Sequence, residues 1–409
     1  MIGTTEDGPA PTAPVPDLSD PTLYRDDRAT AILDGLRAAA PVHRVDRDGK
    51  PSFWAVLSYD LVSRALADAQ TFSSTGGMRL DADPVATAAA TGKMMVITDP
   101  PRHGKIRRIV SNGFTPKMVQ RLETNMRSTA IDIIETALDQ GECDFAEVAA
   151  RLPVSVICDM LGVPREGWDF MLKQTKAAFG VGASTADAEL AAAAHTEIFL
   201  YYDELMRQRR EQRQEDIISA LVHGSIDDRP LTNEEIILNC NGLVSGGNET
   251  TRHATIKGLL AFIRNPEQWH RVRADRSLLP GAIREILRYS TPAMHVLRTA
   301  ARDTELGGRQ IRAGDMVTLW LSSANRDERL FPDPDLFDIE RSPNRHLTFA
   351  HGAHYCIGSA LATTELTIFF DEMLRRVELP ELTGEVRRMR SNLIGGVEHM
   401  PIRLRRAAA

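Results

Sequence analysis

The stretch that decides the fold reads Phe349-Ala350-His351-Gly352-Ala353-His354-Tyr355-Cys356-Ile357-Gly358, and a helical run from Ser359 to Leu366 follows it directly. Glycines at positions 352 and 358 allow a tight turn and a close approach of the backbone to a flat ligand. Cys356 then lies at a predicted helix N-terminus, where free N–H groups and the helix dipole lower the pKa of a thiol. The pattern indicates a thiolate that could bind a metal.

Two other interpretations of this loop compete with a thiolate ligand. A single cysteine is more often a small buried apolar side chain than a ligand. A zinc site is the second alternative, although the spacing of its possible ligands matches no common zinc pattern. Those possible ligands are His346, His351, His354 and Cys356.

Length and composition favour a globular protein. The chain has 409 residues, of which 43% are hydrophobic and 26% charged, and a chain of this kind can bury a large core. The first twenty residues are rich in Pro, Thr and acidic side chains, so we predict a flexible arm over 1–20 and one domain over 21–409.

The sequence also argues against several partners and compartments. We find no run of about 18 apolar residues and no secretory leader, so we expect no membrane span and a cytoplasmic protein. The net charge of −7 opposes non-specific binding to nucleic acid. The cysteines at 143, 158, 240 and 356 are far apart, which favours free thiols over disulfides.

A long helix is predicted between Thr232 and Arg264. Thr232 and Glu235 form a capping box at its start, and Asn265-Pro266 ends it. About 30 residues at 1.5 Å each span about 45 Å, enough to cross a domain. Within this helix lies Gly246-Gly247-Asn248-Glu249-Thr250-Thr251, whose glycines and threonines predict a local distortion that opens a groove. A kink used only for packing is the alternative.

Two further motifs have the spacing of a helix face. Glu285 and Arg288 are three residues apart on a predicted helix, so the carboxylate and guanidinium can pair. His103 and Arg107 are four apart in the stretch from Asp99 to Arg108, and therefore face the same way. Each motif has a plain alternative, namely an exposed ion pair and a solvated basic face.

Taken in order, these four motifs resemble those of the cytochrome P-450 family, and the resemblance spans residues 20 to 408. It implies an α+β fold, mainly α with a smaller β region, shaped as a triangular prism with the long helix over a haem. It also implies that Cys356 is the axial ligand of the haem iron, with a thiolate that favours O–O cleavage. Ala350 departs from the glycine usual in the family.

The resemblance also assigns roles to other residues of this chain. Glu249 and Thr250 would be the acid and alcohol that relay protons to bound dioxygen. Glu285 and Arg288 would be a buried pair that holds the cysteine loop, usually with a third basic residue. Leu336 stands at the expected position of that residue, and Arg341 or Arg326 could replace it. The implied haem contacts, in addition to Cys356, are His103, Arg107, Arg298, Phe349, His354 and Gly358. The implied substrate pocket comprises Met94, Met95, Val96, Phe179, Gly242, Gly246, Met294, Val296, Leu393 and Ile394.

The function that the resemblance implies is that of a monooxygenase with haem b and O2. It would insert one oxygen atom into an apolar small molecule, by hydroxylation or epoxidation, as a tailoring step in the biosynthesis of polyketide-like secondary metabolites. Electrons would pass from NAD(P)H through a ferredoxin reductase and a ferredoxin, which could dock on Lys105, Arg108 and Arg345, and the protein is expected to be a monomer. The alternatives are a sterol, fatty-acid or lipid hydroxylase, a haem-thiolate isomerase or dehydratase, and a non-catalytic haem-binding protein.

Overall fold

The structure is a computed structural model that describes residues 15–26, 28–112, 116–179 and 185–408. Its helices are α1 (Arg28–Ala39), α2 (Tyr59–Ala67), α3 (Pro84–Ala90), α4 (Arg102–Asn112), α5 (Pro116–Gln140), α6 (Phe145–Val148), α7 (Arg151–Leu161), α8 (Trp168–Phe179), α9 (Thr185–Glu211), α10 (Ile217–Val222), α11 (Asn233–Arg264), α12 (Pro266–Ala274), α13 (Leu279–Ser290), α14 (Leu321–Ala324) and α15 (Ser359–Arg376). Short 3-10 turns cover Pro21–Tyr24, Met95–Ile97, Arg165–Gly167, Arg276–Leu278 and Gly352–His354.

The strands are shorter and pair into small sheets. They are β1 (Val42–Arg47), β2 (Lys50–Val56), β3 (Phe72–Ser73), β4 (Glu142–Asp144), β5 (Ser225–Ile226), β6 (Arg229–Pro230), β7 (Val296–Ala300), β8 (Thr304–Leu306), β9 (Arg309–Ile311), β10 (Met316–Leu319), β11 (Glu381–Leu382), β12 (Arg387–Arg388), β13 (Val397–His399) and β14 (Pro401–Arg403). The fold is therefore mainly α with a smaller β region, as predicted.

The long central helix α11 has the predicted bounds. The Thr232 hydroxyl accepts a hydrogen bond from the Glu235 N–H at 3.2 Å, and the Glu235 carboxylate accepts one from the Thr232 N–H at 2.8 Å. Asn265 caps the other end before Pro266. The helix α11 is continuous through Gly246 and Gly247, where the sequence predicts a local distortion. Buried side chains of α7, α13 and α15 pack around α11 in one large apolar core.

The main sheet lies beside this helical core and has the strand order β1-β2-β10-β7-β3. Strand β10 is parallel to β2 and antiparallel to β7. Separate apolar clusters cover its two faces: Val56, Val317 and Leu319 belong to one, and Phe53 and Leu297 to the other. This sheet fixes β7, which follows α13 and runs past the cysteine loop.

The last residues of the predicted arm pack against the rest of the protein. Residues 1–14 of the predicted arm, 1–20, lie outside the described part. Leu18 is nevertheless 1% exposed, and the Ser19 carbonyl accepts a hydrogen bond from Asn392 Nδ2 at 2.6 Å. Residues 18 and 19 of the predicted arm are therefore packed against the rest of the chain. None of the helices in the described ranges combines the length and apolar character needed to pass through a bilayer.

Candidate functional site

The cysteine loop is a tight turn that leads into α15. The Cys356 N–H donates to the Phe349 carbonyl at 2.9 Å, and the Tyr355 N–H donates to the Gly352 carbonyl at 3.0 Å. Gly358 is the N-cap residue of α15, and a Cβ atom placed there would lie 4.0 Å from the Cys356 Sγ. The structure thus places the thiol at the N-terminus of a helix, as predicted.

The helix end acts on the pKa of the thiol in the predicted direction, but the surrounding protein outweighs it. Burial raises the pKa of Cys356 above its ordinary value, although the Gly358 N–H and the charge of Arg107 act in the opposite direction. The side chain of Cys356 is nevertheless exposed to the open space beside the loop. A metal ion bound to the sulfur would favour the thiolate form.

The alternative of a zinc site finds no support in the geometry. Among the residues that the structure describes, no three His, Cys, Asp or Glu side chains come together as a group that could hold a metal ion. The His346 ring is buried, and burial lowers the pKa of His346 to about 4. The described residues therefore do not form a zinc site around Cys356.

The residue that departs from the family pattern carries backbone strain. Ala350 has φ +57°, in the left-handed region that costs a residue with a Cβ about 1–2 kcal/mol. We expect Ala350→Gly to raise the free energy of unfolding by about 1 kcal/mol, measured by urea denaturation of the purified protein.

Gly352→Ala is the matched opposite change. Gly352 has φ +74°, and a Cβ there would lie 2.6 Å from the Leu66 carbonyl oxygen. This variant should be destabilised by at least about 2 kcal/mol. A less stable Ala350→Gly protein would contradict the assignment of strain to the loop.

A cavity of about 300 Å³ separates the cysteine loop from α11. The predicted pocket residues that line it are Met94, Met95, Val96, Gly242, Gly246 and Val296. Other lining residues are mostly apolar as well, including Val156, Ile157, Met160, Leu243, Ala254, Ala293 and Leu361. The described wall therefore offers an apolar surface to a ligand.

Three of the predicted pocket residues do not line the main cavity. The side chain of a fourth lies outside the described residues. Met294 is buried against the sheet and lines a separate, smaller cavity. Leu393 accepts a hydrogen bond from the Met294 N–H at 2.8 Å, and Ile394 bridges to Ala293. None of the residues 294, 393 and 394 lines the main cavity. The side chain of Phe179 is outside the described residues.

Basic side chains meet at the rim of the cavity. The rings of His103 and His354 lie 4.1 Å apart between centroids. Burial and the nearby charges of Arg298 and Arg107 lower the pKa of His354 to about 3. Burial lowers the pKa of Arg298 to about 10, and Asp99 is the carboxylate that opposes this shift. The positive charge of the cluster therefore comes from Arg107 and Arg298, while the neutral His354 ring can still donate a hydrogen bond, and together these groups suit the carboxylates of a ligand.

The predicted acid and alcohol lie side by side on α11 but face different surroundings. Thr250 lines the cavity, and its hydroxyl donates to the Gly246 carbonyl at 2.6 Å. Glu249 is 7% exposed and turns to the flank of the helix, because successive residues are about 100° apart. There its carboxylate lies 3.4 Å from Arg252 Nη1 and 3.1 Å from His253 Nε2.

His253 is a site residue that the sequence reasoning missed. Its Nδ1 accepts a hydrogen bond from the Val397 N–H at 3.3 Å, which leaves Nε2 to donate to Glu249. Burial lowers the pKa of His253, so the ring is neutral. Burial would raise the pKa of Glu249, but the bond from His253 and the charge of Arg252 outweigh it and lower that pKa. His253 lies four residues after Glu249 on the same helix, and this spacing could have predicted their contact.

The predicted pair Glu285 and Arg288 is fully buried, with both side chains 0% exposed and 2.7 Å between Nη2 and Oε1. Arg341 supplies the third basic group, at 3.2 Å from Glu285, whereas Arg326 pairs with Asp335. Glu285 also accepts from Asn344 Nδ2 at 2.9 Å and from the N–H of residue 338 at 3.1 Å. Arg288 donates to the carbonyls of residues 325, 334 and 336. The network thus ties α13 to the segment before the cysteine loop.

A second missed residue is Glu365 on α15, which is 4% exposed and lines the cavity. Its Oε1 has no hydrogen-bond partner among the described residues. Burial raises the pKa of Glu365 to about 8, so the side chain is largely neutral at pH 7. Glu365 lies four residues after Leu361 and four before Phe369, so the sequence places it on an apolar face of α15. That spacing could have predicted its burial.

The buried Glu365 carboxyl group should make the stability of the protein depend on pH. Its pKa is about 8 in the folded protein and 4.5 ordinarily, so folding takes up a proton between those values and stability falls as pH rises through that window. Glu365→Gln removes this penalty. We expect its thermal midpoint to match the wild type near pH 5 and to exceed it by several degrees at pH 8. Glu123→Gln, at an exposed position of α5, is the control, and a difference that does not grow with pH would contradict the shift.

A cysteine loop and a long helix with a mostly apolar cavity between them, and arginine and histidine side chains beside that cavity, fit haem held through a thiolate. The fold and site thus define a haem-thiolate protein. Comparison with known proteins agrees. The cytochrome P450 family model matches residues 182–399. The chain is 36% identical over 390 residues to cytochrome P450 NovI of Streptomyces niveus, covering 95% of this chain and 96% of that one.

Two further relatives extend the comparison. The steroid C26-monooxygenase of Mycobacterium tuberculosis is 35% identical, with 95% of this chain and 97% of the relative covered. The crystal structure of P450 OxyD, which is involved in the biosynthesis of vancomycin-type antibiotics, matches with a TM-score of 0.88 at 35% identity, covering 96% of this chain and 100% of that one. This chain belongs to the cytochrome P450 family, and it is a P450 monooxygenase.

Proposed function

We propose that this monooxygenase inserts one oxygen atom of O2 into an apolar small molecule as a tailoring step in secondary-metabolite biosynthesis. The observation that carries the proposal is the cavity itself. Its wall is mostly apolar, the Cys356 loop lies on one side, and the Thr250 hydroxyl lies on the other. An apolar pocket with a few polar groups is typical of small-molecule sites.

The haem would be held by residues from distant parts of the sequence. Cys356 would ligate the iron, with Phe349 and Gly358 against the ring. His103, Arg107, Arg298 and His354 would bind the two propionates. When bound, haem with an axial thiolate supplies the activation of O2 and the cleavage of its O–O bond.

The chain itself would supply and control the protons. Thr250 faces the cavity, and its hydroxyl oxygen can accept a further hydrogen bond while it donates to Gly246. Glu249 lies on the outer flank, where Arg252 and His253 keep it ionised. The carboxylate would collect protons from that side and pass them to Thr250 through water, as general acid–base catalysis requires.

Electrons would come from NAD(P)H through a ferredoxin reductase and a ferredoxin. Arg108 and Arg345 are exposed and suit an acidic partner. Lys105 is less available than the sequence suggested, because its Nζ lies 2.6 Å from Asp227. Reduction by ferredoxin should therefore slow as salt is raised, and Arg108→Glu should slow it further.

The substrate class rests on likeness and on the apolar wall. The OxyD structure is described as part of antibiotic biosynthesis, which favours a secondary metabolite. Other relatives are named a steroid C26-monooxygenase and a methyl-branched lipid omega-hydroxylase, so steroid or lipid hydroxylation is the second candidate function. The same apolar wall would accept either class.

Consumption of NAD(P)H and O2 by the holoprotein, with a surrogate ferredoxin and its reductase, tests the proposal. Candidate substrates are first selected by the shift they cause in the haem absorption band, from polyketides, peptides, steroids and fatty acids. We expect a polyketide or peptide to be oxidised with the gain of one oxygen atom by mass spectrometry. Turnover of steroids or fatty acids alone would favour the second candidate, and binding without oxygen consumption would contradict monooxygenation of the tested compounds.

A further inference from the structure

The segment that forms one wall of the cavity is fastened to α11 by a single buried amide. Asn239 is 3% exposed. Its Oδ1 accepts the N–H of Met95 at 2.8 Å, and its Nδ2 donates to the carbonyl of Lys93 at 2.8 Å. Nδ2 also donates to the Glu235 carbonyl within α11 at 2.7 Å. The amide thus pairs with the backbone on both sides of Met94.

This arrangement requires an amide at position 239. One carboxamide has two N–H donors and a carbonyl acceptor, and here both donors and the acceptor are used. Aspartate would keep the acceptor for Met95 but would face the carbonyls of Lys93 and Glu235 without a donor. A buried polar group that loses its partner costs about 1–3 kcal/mol, and more when it is charged.

A glycine on the same face of α11 leaves space for the Met94 side chain. Gly242 follows Asn239 by three residues, so the two lie on one face of α11. A Cβ atom at Gly242 would lie 2.9 Å from the Met94 Cε. The amide fixes the backbone on either side of Met94, and the glycine leaves room for the Met94 side chain on the helix.

The ion pairs between this segment and α11 are more exposed than the Asn239 amide. Lys93 pairs with Glu234 at 2.8 Å, with the two side chains 38% and 54% exposed. Arg102 pairs with Glu235, and the two side chains are 42% and 9% exposed. An exposed pair such as Lys93–Glu234 contributes about 0–1 kcal/mol, whereas Asn239 holds the backbone of residues 93 and 95 directly through two buried hydrogen bonds.

We propose that Asn239 is a specificity-determining positioning residue that fixes the register of residues 93–95, and through them the cavity wall formed by Met94, Met95 and Val96. The inference rests on the proposed function, in which this cavity holds the substrate. A ligand that extends to the wall depends on Asn239, whereas a small ligand that stays near the haem does not. Release of the wall should act mainly on the dissociation rate of large ligands, because they are retained by it.

The test uses the holoprotein and two azole probes of different size, imidazole and clotrimazole, which bind haem iron through the same ring nitrogen. In Asn239→Asp we expect clotrimazole to dissociate about tenfold faster while imidazole affinity stays within about twofold. Amide hydrogen exchange of residues 92–97 should rise, with the C-terminal half of α11 unchanged. The matched control is Asn265→Asp, since Asn265 Nδ2 donates to the Ala261 carbonyl at 2.8 Å at the far end of the same helix.

Asn239→Ala provides a second route if the aspartate variant folds poorly. It removes the hydrogen bonds to Lys93 and Met95 without burying a charge, and it should change the same two quantities in the same direction. Equal changes for both azoles, or unaltered exchange of residues 92–97 in the variants that fold, would overturn the proposal. Failure of either azole to shift the wild-type spectrum would instead contradict the haem pocket itself, so the two failures are distinguishable.

Discussion

Replacing Glu285 by alanine is expected to destabilise the protein by about 3–5 kcal/mol, because the change leaves a buried guanidinium without its charge partner. Arg288 is 0% exposed on its side chain, and Arg341 also contacts the lost carboxylate. The segment before the cysteine loop is held by this network, so the variant should also lose haem readily. Chemical denaturation and the haem content of the purified protein measure the two effects.

An exposed ion pair is the control for this prediction. Glu340 pairs with Arg271 at the surface, where the two side chains are 53% and 44% exposed. Glu340→Ala should change stability by less than about 1 kcal/mol. If Glu285→Ala were as mild as Glu340→Ala, the buried network would not be what holds the loop.

Replacing Glu249 by glutamine is expected to lower the rate of product formation by about 100-fold without loss of haem. Glutamine keeps nearly the same shape and can still accept the hydrogen bond from His253, but it cannot take up and release a proton. Turnover should fall while NAD(P)H continues to be consumed with release of hydrogen peroxide. Product yield per NAD(P)H, with peroxide measured in parallel, reports this uncoupling.

Two other variants locate the effect. His253→Ala leaves Glu249 without its neutral donor, so the pKa of Glu249 should rise and the pH dependence of turnover should move to higher pH. Glu267→Gln, at an exposed position of α12, should leave turnover unchanged. A Glu249→Gln enzyme with wild-type coupling would exclude Glu249 from the proton path.

Local signals in the sequence predicted the parts of the site that depend on one helix or one loop. The ends of α11 follow from Thr232, Glu235 and Asn265-Pro266, which act within a few residues. The pairing of Glu285 with Arg288 follows from helix geometry. The place of Cys356 at the start of α15 follows from the glycines around it. Such features do not require knowledge of the rest of the fold.

Features that depend on distant parts of the chain were not predictable in the same way. Arg341 completes the Glu285 network because the irregular segment after α14 folds back on α13, which no local pattern shows. Met294, Leu393 and Ile394 were predicted in the pocket, whereas Ala293, which bridges to Ile394, lines the cavity instead. In such short pairings a shift of one residue reverses the face of every side chain.

The most direct test is the absorption spectrum of the reduced protein with carbon monoxide. Thiolate ligation predicts a Soret band at about 450 nm in the wild type. The Cys356→Ser variant should lose that band while keeping its helical circular dichroism. A wild-type protein that takes up no haem when supplied with it, or a Cys356→Ser variant that retains the band, would contradict Cys356 as the ligand on which the account rests.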